Sequence, residues 1–260
     1  MAPLDLRSKR LFLFDLDGVF YKGKERPVKI AGSAVVEAIR NRGKELFVLT
    51  NNSTDTVRTL HLNLARLGIR IREDEILTSS RLTAEYIEGR YGRVSYFLVG
   101  EAGFDRELRR LGHRPARASE ADVVVVGLDR AVSYGKLDEA SKAAKRGAAL
   151  VASHAASFYM SRFGPALGPG PLVRAIESAS GRRAIVVGKP SPLMFRIALK
   201  KGGCRPEEAV MVGDQLDTDI LGAERAGIDS VLVLTGIDRS VAGTHALGSV
   251  TDVDGLVRYL

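Results

Sequence analysis

The sequence predicts an α/β protein built on parallel sheets, and three observations support that class. Short runs of β-branched and apolar residues alternate with helical patterns along most of the 260 residues, as is typical of repeated βα units. The first run, Leu11 to Phe14, is apolar at every position, as expected for a strand covered on both faces. The composition, 45% hydrophobic and 27% charged, is ordinary for a globular protein and does not indicate disorder.

Two helices and a second strand are predicted in the first quarter of the chain. One helix runs from Ser33 to Arg42, where Gly43 can supply the left-handed residue that often ends a helix. An apolar strand, Leu46 to Leu49, follows. The next helix carries apolar side chains three or four residues apart between Val57 and Leu67 and ends at Gly68. Its apolar side chains are therefore predicted to lie in the core.

The rest of the chain repeats this alternation. In the middle, strands are predicted at 94–99, 123–126 and 149–152, and helices at 102–111 and 136–146. Ser191 followed by Pro192 is typical of a helix start, and that helix is predicted to run to Lys201. The last predicted elements are a strand at 210–212, a helix at 217–226 and a strand at 231–234.

The sequence pattern changes near residues 80 and 184, which predicts two domains. Residues 1–79 and 184–260 would form a Rossmann-like parallel-sheet core. Residues 80–183 would form an α/β domain inserted into that core, which requires both chain crossings to lie close together. The predicted fold is therefore a Rossmann-like core with an inserted α/β domain.

The formal net charge of +8 leaves three interpretations open: an ordinary basic surface, attraction of small anionic substrates, or nucleic-acid binding. The basic residues are scattered and no nucleic-acid-binding motif accompanies them, so nucleic acid is not an expected partner. No apolar run approaches the ~18 residues that cross a bilayer, and the N-terminus lacks the features of a signal peptide. We therefore expect a cytoplasmic protein with no membrane partner.

Two carboxylates follow the first predicted strand. Asp15 and Asp17 lie two residues apart, and on an extended chain such residues project to the same side. In open parallel sheets, ligands bind at the carboxyl ends of the strands. Two like charges this close are costly unless a cation offsets them or one is protonated. The pair indicates a divalent metal, a catalytic acid or both, with a solvated turn as the alternative.

Polar residues also follow the second predicted strand, and a lysine precedes the helix that starts near Ser191. Thr50, Asn51 and Asn52, with the N–H groups of their turn, could hold phosphate oxygens or simply cap the next helix. Lys189 could neutralise a phosphate or an aspartate nucleophile, or be solvated. Its surroundings are not those of a P-loop, which needs Ser or Thr directly after the lysine.

Three acids follow the strand predicted at 210–212, namely Asp214, Asp217 and Asp219. Carboxylate oxygens are the ligands that a hard cation such as Mg²⁺ prefers. The alternative is that acids at the start of a helix stabilise the helix dipole. That alternative suits Asp217 and Asp219 better than Asp214.

The four segments resemble, in the same order, the four motifs of the haloacid dehalogenase superfamily. They are Phe-Asp-Leu-Asp-Gly-Val at 14–19, Leu-Thr-Asn-Asn-Ser at 49–53, Gly-Lys-Pro-Ser-Pro at 188–192 and Val-Gly-Asp-Gln-Leu-Asp-Thr-Asp at 212–219. With the insertion between the second and third motifs, the chain is similar to the branch of 4-nitrophenylphosphatases and NagD-like nucleotide phosphatases. The resemblance covers nearly the whole chain and implies that residues 80–183 form an α/β cap domain.

The resemblance implies a role for each matching acid. Asp15 would be the nucleophile, and Asp17 the general acid and base. Mg²⁺ would be bound by Asp214, Asp15 and the backbone carbonyl of Asp17. Asp219 would support the site through water or a backbone contact.

The resemblance also implies which residues bind the phosphoryl group. Thr50 and Asn51 would bind the phosphate, with Asn52 near it. Lys189 would steady both the nucleophile and the phosphate.

The chain departs from this branch inside the predicted cap. The branch usually carries Ala-Thr-Asn-x-Asp, and this chain has Ala-Ser-His-Ala-Ala at 152–156. His154 therefore replaces the usual Asn. Phe158 and Tyr159, just beyond, could contact the leaving group or pack within the cap. The departure leaves the choice of substrate open.

The function that the resemblance implies is Mg²⁺-dependent hydrolysis of small phosphomonoesters through an aspartyl phosphate on Asp15. The expected partner is a small phosphorylated metabolite of the sugar phosphate, phosphoglycolate, nucleoside monophosphate or 4-nitrophenyl phosphate type. Two alternatives remain: a phosphotransferase or mutase, and a non-enzymatic module that binds a phosphorylated ligand. Formation of a homodimer also remains open.

Overall fold

The computed structural model describes residues 4–23, 26–161 and 163–260, and the chain divides into two compact units. One unit comprises Met1–Thr50, Val57–Leu77 and Lys189–Leu260, and the other comprises Asn51–Thr56 and Thr78–Gly188. The division into a hydrolase core of residues 1–79 plus 184–260 and a cap of residues 80–183 stays a prediction.

The described residues form strands and helices in alternation. The strands are β1 (Leu11–Phe14), β2 (Tyr21–Lys22), β3 (Val28–Lys29), β4 (Glu45–Thr50), β5 (Ile76–Thr78), β6 (Ser95–Val99), β7 (Arg114–Pro115), β8 (Val123–Val126), β9 (Ala149–Ala152), β10 (Phe158–Ser161), β11 (Gly164–Leu167), β12 (Ile185–Val186), β13 (Ala209–Gly213), β14 (Asp229–Val233) and β15 (Gly248–Val250). The α-helices are α1 (Ser33–Asn41), α2 (Val57–Arg66), α3 (Ser79–Tyr91), α4 (Ala102–Arg110), α5 (Tyr134–Arg146), α6 (Pro169–Ser180), α7 (Pro192–Lys201) and α8 (Leu221–Ala226).

A six-stranded sheet, ordered β15-β14-β13-β1-β4-β5, forms the centre of the first unit. The pairings from β15 through β4 are parallel. Phe14 lies opposite Val212 of β13 on one side and Val48 of β4 on the other. Because β1 is an interior strand, all four of its apolar residues are buried. The carboxyl ends of β1, β4 and β13 consequently meet at one edge of the sheet.

Helices α1 and α2 of the first unit bury apolar faces in the core that includes β1. Val35 and Ile39 of α1 and Leu60 and Leu64 of α2 belong to the same buried cluster as Phe14. The side chains predicted from helical spacing to be core are therefore confirmed as core, with Leu67 partly buried against the same cluster.

The second unit has its own five-stranded sheet, ordered β12-β9-β8-β6-β7, in which the strands pair in parallel. Val124 and Val126 of β8 pack with Ala143 of α5 and with Ile176 of α6. An antiparallel hairpin, β10–β11, places Phe158 opposite Leu167. Among the described residues, no helix combines the length and apolar character that crossing a membrane demands.

The predicted fold class is confirmed, and most predicted elements lie within a residue or two of the observed ones. The helix predicted at 217–226 differs, because its first turn is a π-helix over Leu216–Ile220 before α8 begins. Helices α3 and α6 were not predicted. The buried face of α3 includes Ser79, Ser80 and Thr83, which interrupt the apolar spacing on which the prediction depends.

Candidate active site

Asp15 directly follows β1 and lies at the edge where three parallel strands end. Its side chain is buried, and its backbone N–H donates to the carbonyl of Val212 at 2.9 Å, which continues the pairing of β1 with β13. Asp15 is therefore held by the sheet itself. Because neighbouring parallel strands deliver their following residues to the same edge, polar groups after β4 and β13 can approach it.

Lys189 connects the acids that follow β1 and β13. Its ammonium Nζ donates to Asp15 Oδ1 at 2.6 Å, to Asp219 Oδ1 at 2.7 Å and to the carbonyl of Leu49 at 3.0 Å. The lysine side chain is 3% exposed, and those of Asp15 and Asp219 are 8% and 0% exposed. Three acceptors at these distances fix the orientation of the buried ammonium. Its two ion pairs are therefore well aligned, as strong ion pairs in a low-dielectric interior must be.

Asp219 is held in place by the π-helical turn over Leu216–Ile220. Its Oδ1 accepts from Lys189, and its Oδ2 accepts from the backbone N–H groups of Asp214 and Gln215, each at 3.2 Å. Both oxygens therefore already have partners. Asp217, two residues earlier, is exposed, as expected of an acid that complements the start of a helix.

Asp214 follows β13 and presents one oxygen without a partner. Its Oδ2 accepts from the backbone N–H of Ile237 at 3.0 Å. Its Oδ1 is buried and has no hydrogen-bond partner among the described residues. A buried polar atom left in this way usually indicates a missing ligand, ion or water.

The pKa values of these groups are shifted because the groups are buried and their charges lie close together. Burial, together with the charges of Asp15 and Asp219, raises the pKa of Asp214 to about 8. Burial raises the pKa of Asp219 to about 6 although Lys189 opposes the increase. Burial likewise raises the pKa of Asp15 against the effect of Lys189. Burial alone would lower the pKa of Lys189, but Asp15 and Asp219 raise it above its ordinary value.

The acids fit a hard divalent cation. Oxygens of Asp15, Asp214 and Asp219 lie within 4.8 Å of one another. Because Asp219 has partners on both oxygens, Asp15 and Asp214 are the available ligands, and the open Oδ1 of Asp214 is the clearest position. A cation there would satisfy that buried oxygen and offset the repulsion between the carboxylates.

The turn after Asp15 depends on a glycine. Gly18 has a φ of +81°, and a Cβ built on it would lie 2.5 Å from Asp214 Oδ2. The position thus needs both the left-handed conformation and the absence of a side chain. Asp17, in the same turn, is half-buried, and its negative charge is one of the causes that raise the pKa of Asp15.

The residues predicted to bind phosphate divide between the two units. Thr50, the last residue of β4, is buried and belongs to the first unit with Asp15. Asn51 and Asn52 belong to the second unit. There, the Asn52 side-chain amide donates to Asp55 at 2.7 Å, and its Oδ1 accepts from the backbone N–H of Asp55 at 2.9 Å. The structure thus brings Thr50 to the same sheet edge as Asp15. Phosphate binding by Asn51 and Asn52 stays a prediction.

The residues predicted to set specificity lie in the second unit. Phe158 is 53% exposed, Tyr159 is half-buried, and both belong to hairpin strand β10. His154, which replaces the Asn that the resemblance leads us to expect, is buried. Contact of Phe158 or Tyr159 with a leaving group stays a prediction.

One segment of the site was not predicted from the sequence. The loop of residues 234–239 follows β14, and its Ile237 supplies the hydrogen bond to Asp214. Its polar Thr235 lies just after a buried strand, and Asp238 lies in the same loop. The same pattern singled out the segments of Asp15, Thr50 and Asp214 and could have identified this one.

Comparison with known proteins agrees with the motifs. Residues 12–114 match the haloacid dehalogenase-like hydrolase family, and residues 186–253 match the HAD-hydrolase-like family. The chain is 36% identical to human chronophin, over 87% of this chain and 81% of that protein. It is 34% identical to the ribonucleotide monophosphatase NagD of Escherichia coli, over 86% of each. The p-nitrophenyl phosphatase structure from Archaeoglobus fulgidus superposes with a TM-score of 0.90 at 30% identity, over 97% of this chain and 99% of the other.

Proposed function

The chain belongs to the haloacid dehalogenase-like hydrolase family and is a phosphatase of its NagD-like branch, and from this premise we propose that it hydrolyses small phosphomonoesters through an aspartyl phosphate on Asp15 with the help of Mg²⁺. The observation that carries the proposal is the arrangement of Lys189. Its ammonium holds Asp15 and Asp219 at 2.6 and 2.7 Å, beside the unpartnered oxygen of Asp214. That arrangement gives a buried nucleophile, a fixed positive charge and an open position for a cation.

In the first transfer, a carboxylate oxygen of Asp15 attacks phosphorus and the bond from phosphorus to the leaving oxygen breaks. Asp17 donates a proton to that leaving oxygen. Lys189, with its charge held by two buried acids, offsets negative charge on the transferring group. The products of this step are an alcohol and an aspartyl phosphate.

In the second transfer, water attacks the phosphorus of the aspartyl phosphate. Asp17, now a carboxylate, takes a proton from that water. The bond from phosphorus to Asp15 breaks, so that inorganic phosphate is released and the Asp15 carboxylate is restored. Both half-reactions use Asp15 and Asp17, and Asp17 enters the first as an acid and the second as a carboxylate.

Mg²⁺, held by Asp15, Asp214 and the backbone carbonyl of Asp17, would offset charge on the phosphoryl oxygens when bound. Asp219 would act indirectly, because Lys189 and two backbone N–H groups already occupy its oxygens. Its role is to position Lys189 and the turn that carries Asp214.

The names of similar proteins suggest the class of substrate. They include a 5'-nucleotidase of Bacillus subtilis, an acid sugar phosphatase of Staphylococcus epidermidis and a D-glycerol 3-phosphate phosphatase of Mycobacterium tuberculosis. We propose that this chain acts on small metabolites of the same kinds. Its departures at 152–156 make the preferred member of this class a question for experiment.

A substrate panel tests the proposed function. We expect 4-nitrophenyl phosphate, phosphoglycolate, nucleoside monophosphates or sugar phosphates to be hydrolysed with Mg²⁺. EDTA should remove that activity and renewed Mg²⁺ should restore it. Full activity in EDTA would contradict the metal requirement. Phosphate delivered to an added alcohol would favour a phosphotransferase, and tight binding of phosphorylated ligands without turnover would favour a binding module.

Mg²⁺ is expected to bind more tightly as the pH rises towards 8. A metal ligand must be deprotonated, and the pKa of Asp214 is raised to about 8, so below that pH the cation competes with a proton. The apparent dissociation constant should fall about tenfold from pH ~6 to ~7 and about fivefold from pH ~7 to ~8. Isothermal titration calorimetry with Mg²⁺ measures this directly. A dissociation constant that stays level across this range would contradict a protonated Asp214.

A further inference from the structure

The 234–239 loop begins where β14 ends, beside the turn that carries Asp214. Strands β13 and β14 are parallel neighbours, with Gly213 opposite Leu232. The segments that leave them therefore emerge at the same sheet edge. The proposed mechanism gives this loop no part, yet it makes several contacts with the turn of residues 214–216.

Three hydrogen bonds connect the loop to that turn. The backbone N–H of Ile237 donates to Asp214 Oδ2 at 3.0 Å. The backbone N–H of Asp238 donates to the carbonyl of Asp214 at 3.0 Å. In return, the Asp238 carboxylate accepts from the backbone N–H of Leu216 at 2.7 Å. Asp238 thus binds both ends of the turn, while Ile237 occupies one oxygen of the Asp214 carboxylate.

The loop also lies so close to Asp214 that Gly236 has no room for a side chain. A Cβ built there would lie 1.7 Å from Asp214 Oδ2, far inside van der Waals contact. On its other side, the Thr235 hydroxyl donates to the carbonyl of Gly18 at 2.5 Å. The loop therefore contacts both the turn that follows β1 and the turn that follows β13.

These contacts decide which oxygen of Asp214 is available. Because Oδ2 receives the N–H of Ile237, the carboxylate cannot rotate without losing that hydrogen bond. Oδ1 is then left buried and without a partner among the described residues. Groups that orient a metal ligand in this way commonly change metal affinity when they are removed.

We propose that Asp238 is a positioning residue for the divalent-cation site. It fixes the turn of residues 214–216 against the 234–239 loop, so that Asp214 directs Oδ1 towards the cation. This inference rests on the proposed function, because it assumes that Asp214 binds Mg²⁺. It assigns Asp238 no contact with the substrate or the cation.

Calorimetric titration of the whole chain with Mg²⁺ tests the inference. Asp238→Ala should raise the Mg²⁺ dissociation constant about tenfold or more, whereas kcat at saturating Mg²⁺ should stay near the wild-type value. Asp238→Asn should restore Mg²⁺ affinity, because its amide oxygen can still accept from Leu216. If the alanine variant does not fold, Asp238→Glu carries the same expectation of weaker binding, because its longer side chain displaces the carboxylate.

Asp252→Ala is the matched control. The Asp252 carboxylate also accepts a hydrogen bond from a backbone N–H of the same unit, that of Gly255 at 3.1 Å. Asp252, however, lies at the start of the C-terminal 3-10 helix. The Asp252→Ala variant should lose stability without a change in Mg²⁺ affinity. Unchanged affinity in Asp238→Ala, or an equal loss in Asp252→Ala, would overturn the positioning role. A wild-type protein that hydrolyses phosphomonoesters but binds no Mg²⁺ would instead overturn the proposed metal site itself.

Discussion

Asp15→Asn is expected to lower kcat by on the order of 10⁴-fold or more, the size of loss seen when a nucleophile is removed from a covalent mechanism. The amide has the shape of the carboxylate but cannot form the aspartyl phosphate. Asp15 lies after an interior strand and is buried, so water cannot readily take its place. Turnover of 4-nitrophenyl phosphate at saturating Mg²⁺ measures the effect.

The matched control is Asp217→Asn, which makes the same change at an exposed acid near the same sheet edge. It should keep wild-type kcat. Circular dichroism and thermal unfolding should show both variants folded, because neither change alters side-chain size and Lys189 keeps Asp219 and the Leu49 carbonyl as acceptors in Asp15→Asn. Wild-type turnover by folded Asp15→Asn would contradict the role of Asp15 as nucleophile.

Lys189→Met should reduce both stability and activity. It removes the cation between two buried acids, and breaking a buried ion pair from one side typically costs ~3–5 kcal/mol in the free energy of unfolding. Loss of its charge at the reacting centre should lower kcat by about 10²–10³-fold. Without the ammonium, the pKa of Asp15 rises further, so residual activity should increase with pH as the nucleophile deprotonates.

Lys9→Met separates these effects. Lys9 is also buried, and its ammonium donates to a carboxylate, that of Asp229 at 2.5 Å, and to the carbonyl of Glu207 at 2.7 Å. Asp229 begins β14 and Lys9 precedes β1, so this pair lies at the opposite end of the strands from Asp15. The Lys9→Met variant should lose stability, whereas its kcat and its pH profile should stay unchanged. A Lys189→Met enzyme whose activity falls only with its folded fraction would contradict the proposed role.

Much of the fold follows from local pattern. The interior strand Leu11–Phe14 and the strand Val123–Val126 are apolar at every residue and are buried at every residue. Ser191 accepts from the backbone N–H of Leu193 and caps α7 as predicted. In these places the sequence pattern and the tertiary environment agree, so local reasoning succeeds.

Two features that escaped prediction depend on tertiary contacts. Helix α3 buries Thr83, whose hydroxyl donates to the carbonyl of Ser79 at 2.6 Å, so a polar residue occupies a core position. The π-helical turn over Leu216–Ile220 turns Asp219 inward to Lys189. Nothing local distinguishes that acid from exposed Asp217. Spacing alone could not decide which of the two would be buried.

The candidate site was partly predictable for a related reason. Asp15 directly follows β1, Thr50 is the last residue of β4, and Asp214 directly follows β13. Parallel strands deliver such residues to one edge of the sheet. The 234–239 loop obeys the same rule after β14 but lacks a familiar motif. Its proposed positioning role rests on the hydrogen bonds of Ile237 and Asp238, which depend on the tertiary structure.

The stereochemical course at phosphorus tests the central claim most directly. A phosphomonoester made chiral with oxygen isotopes should yield inorganic phosphate with net retention, because transfer to Asp15 and then to water inverts phosphorus twice. Net inversion would mean that water attacks the substrate in a single step. That result would contradict an aspartyl phosphate on Asp15, however well the surrounding acids and Lys189 are arranged.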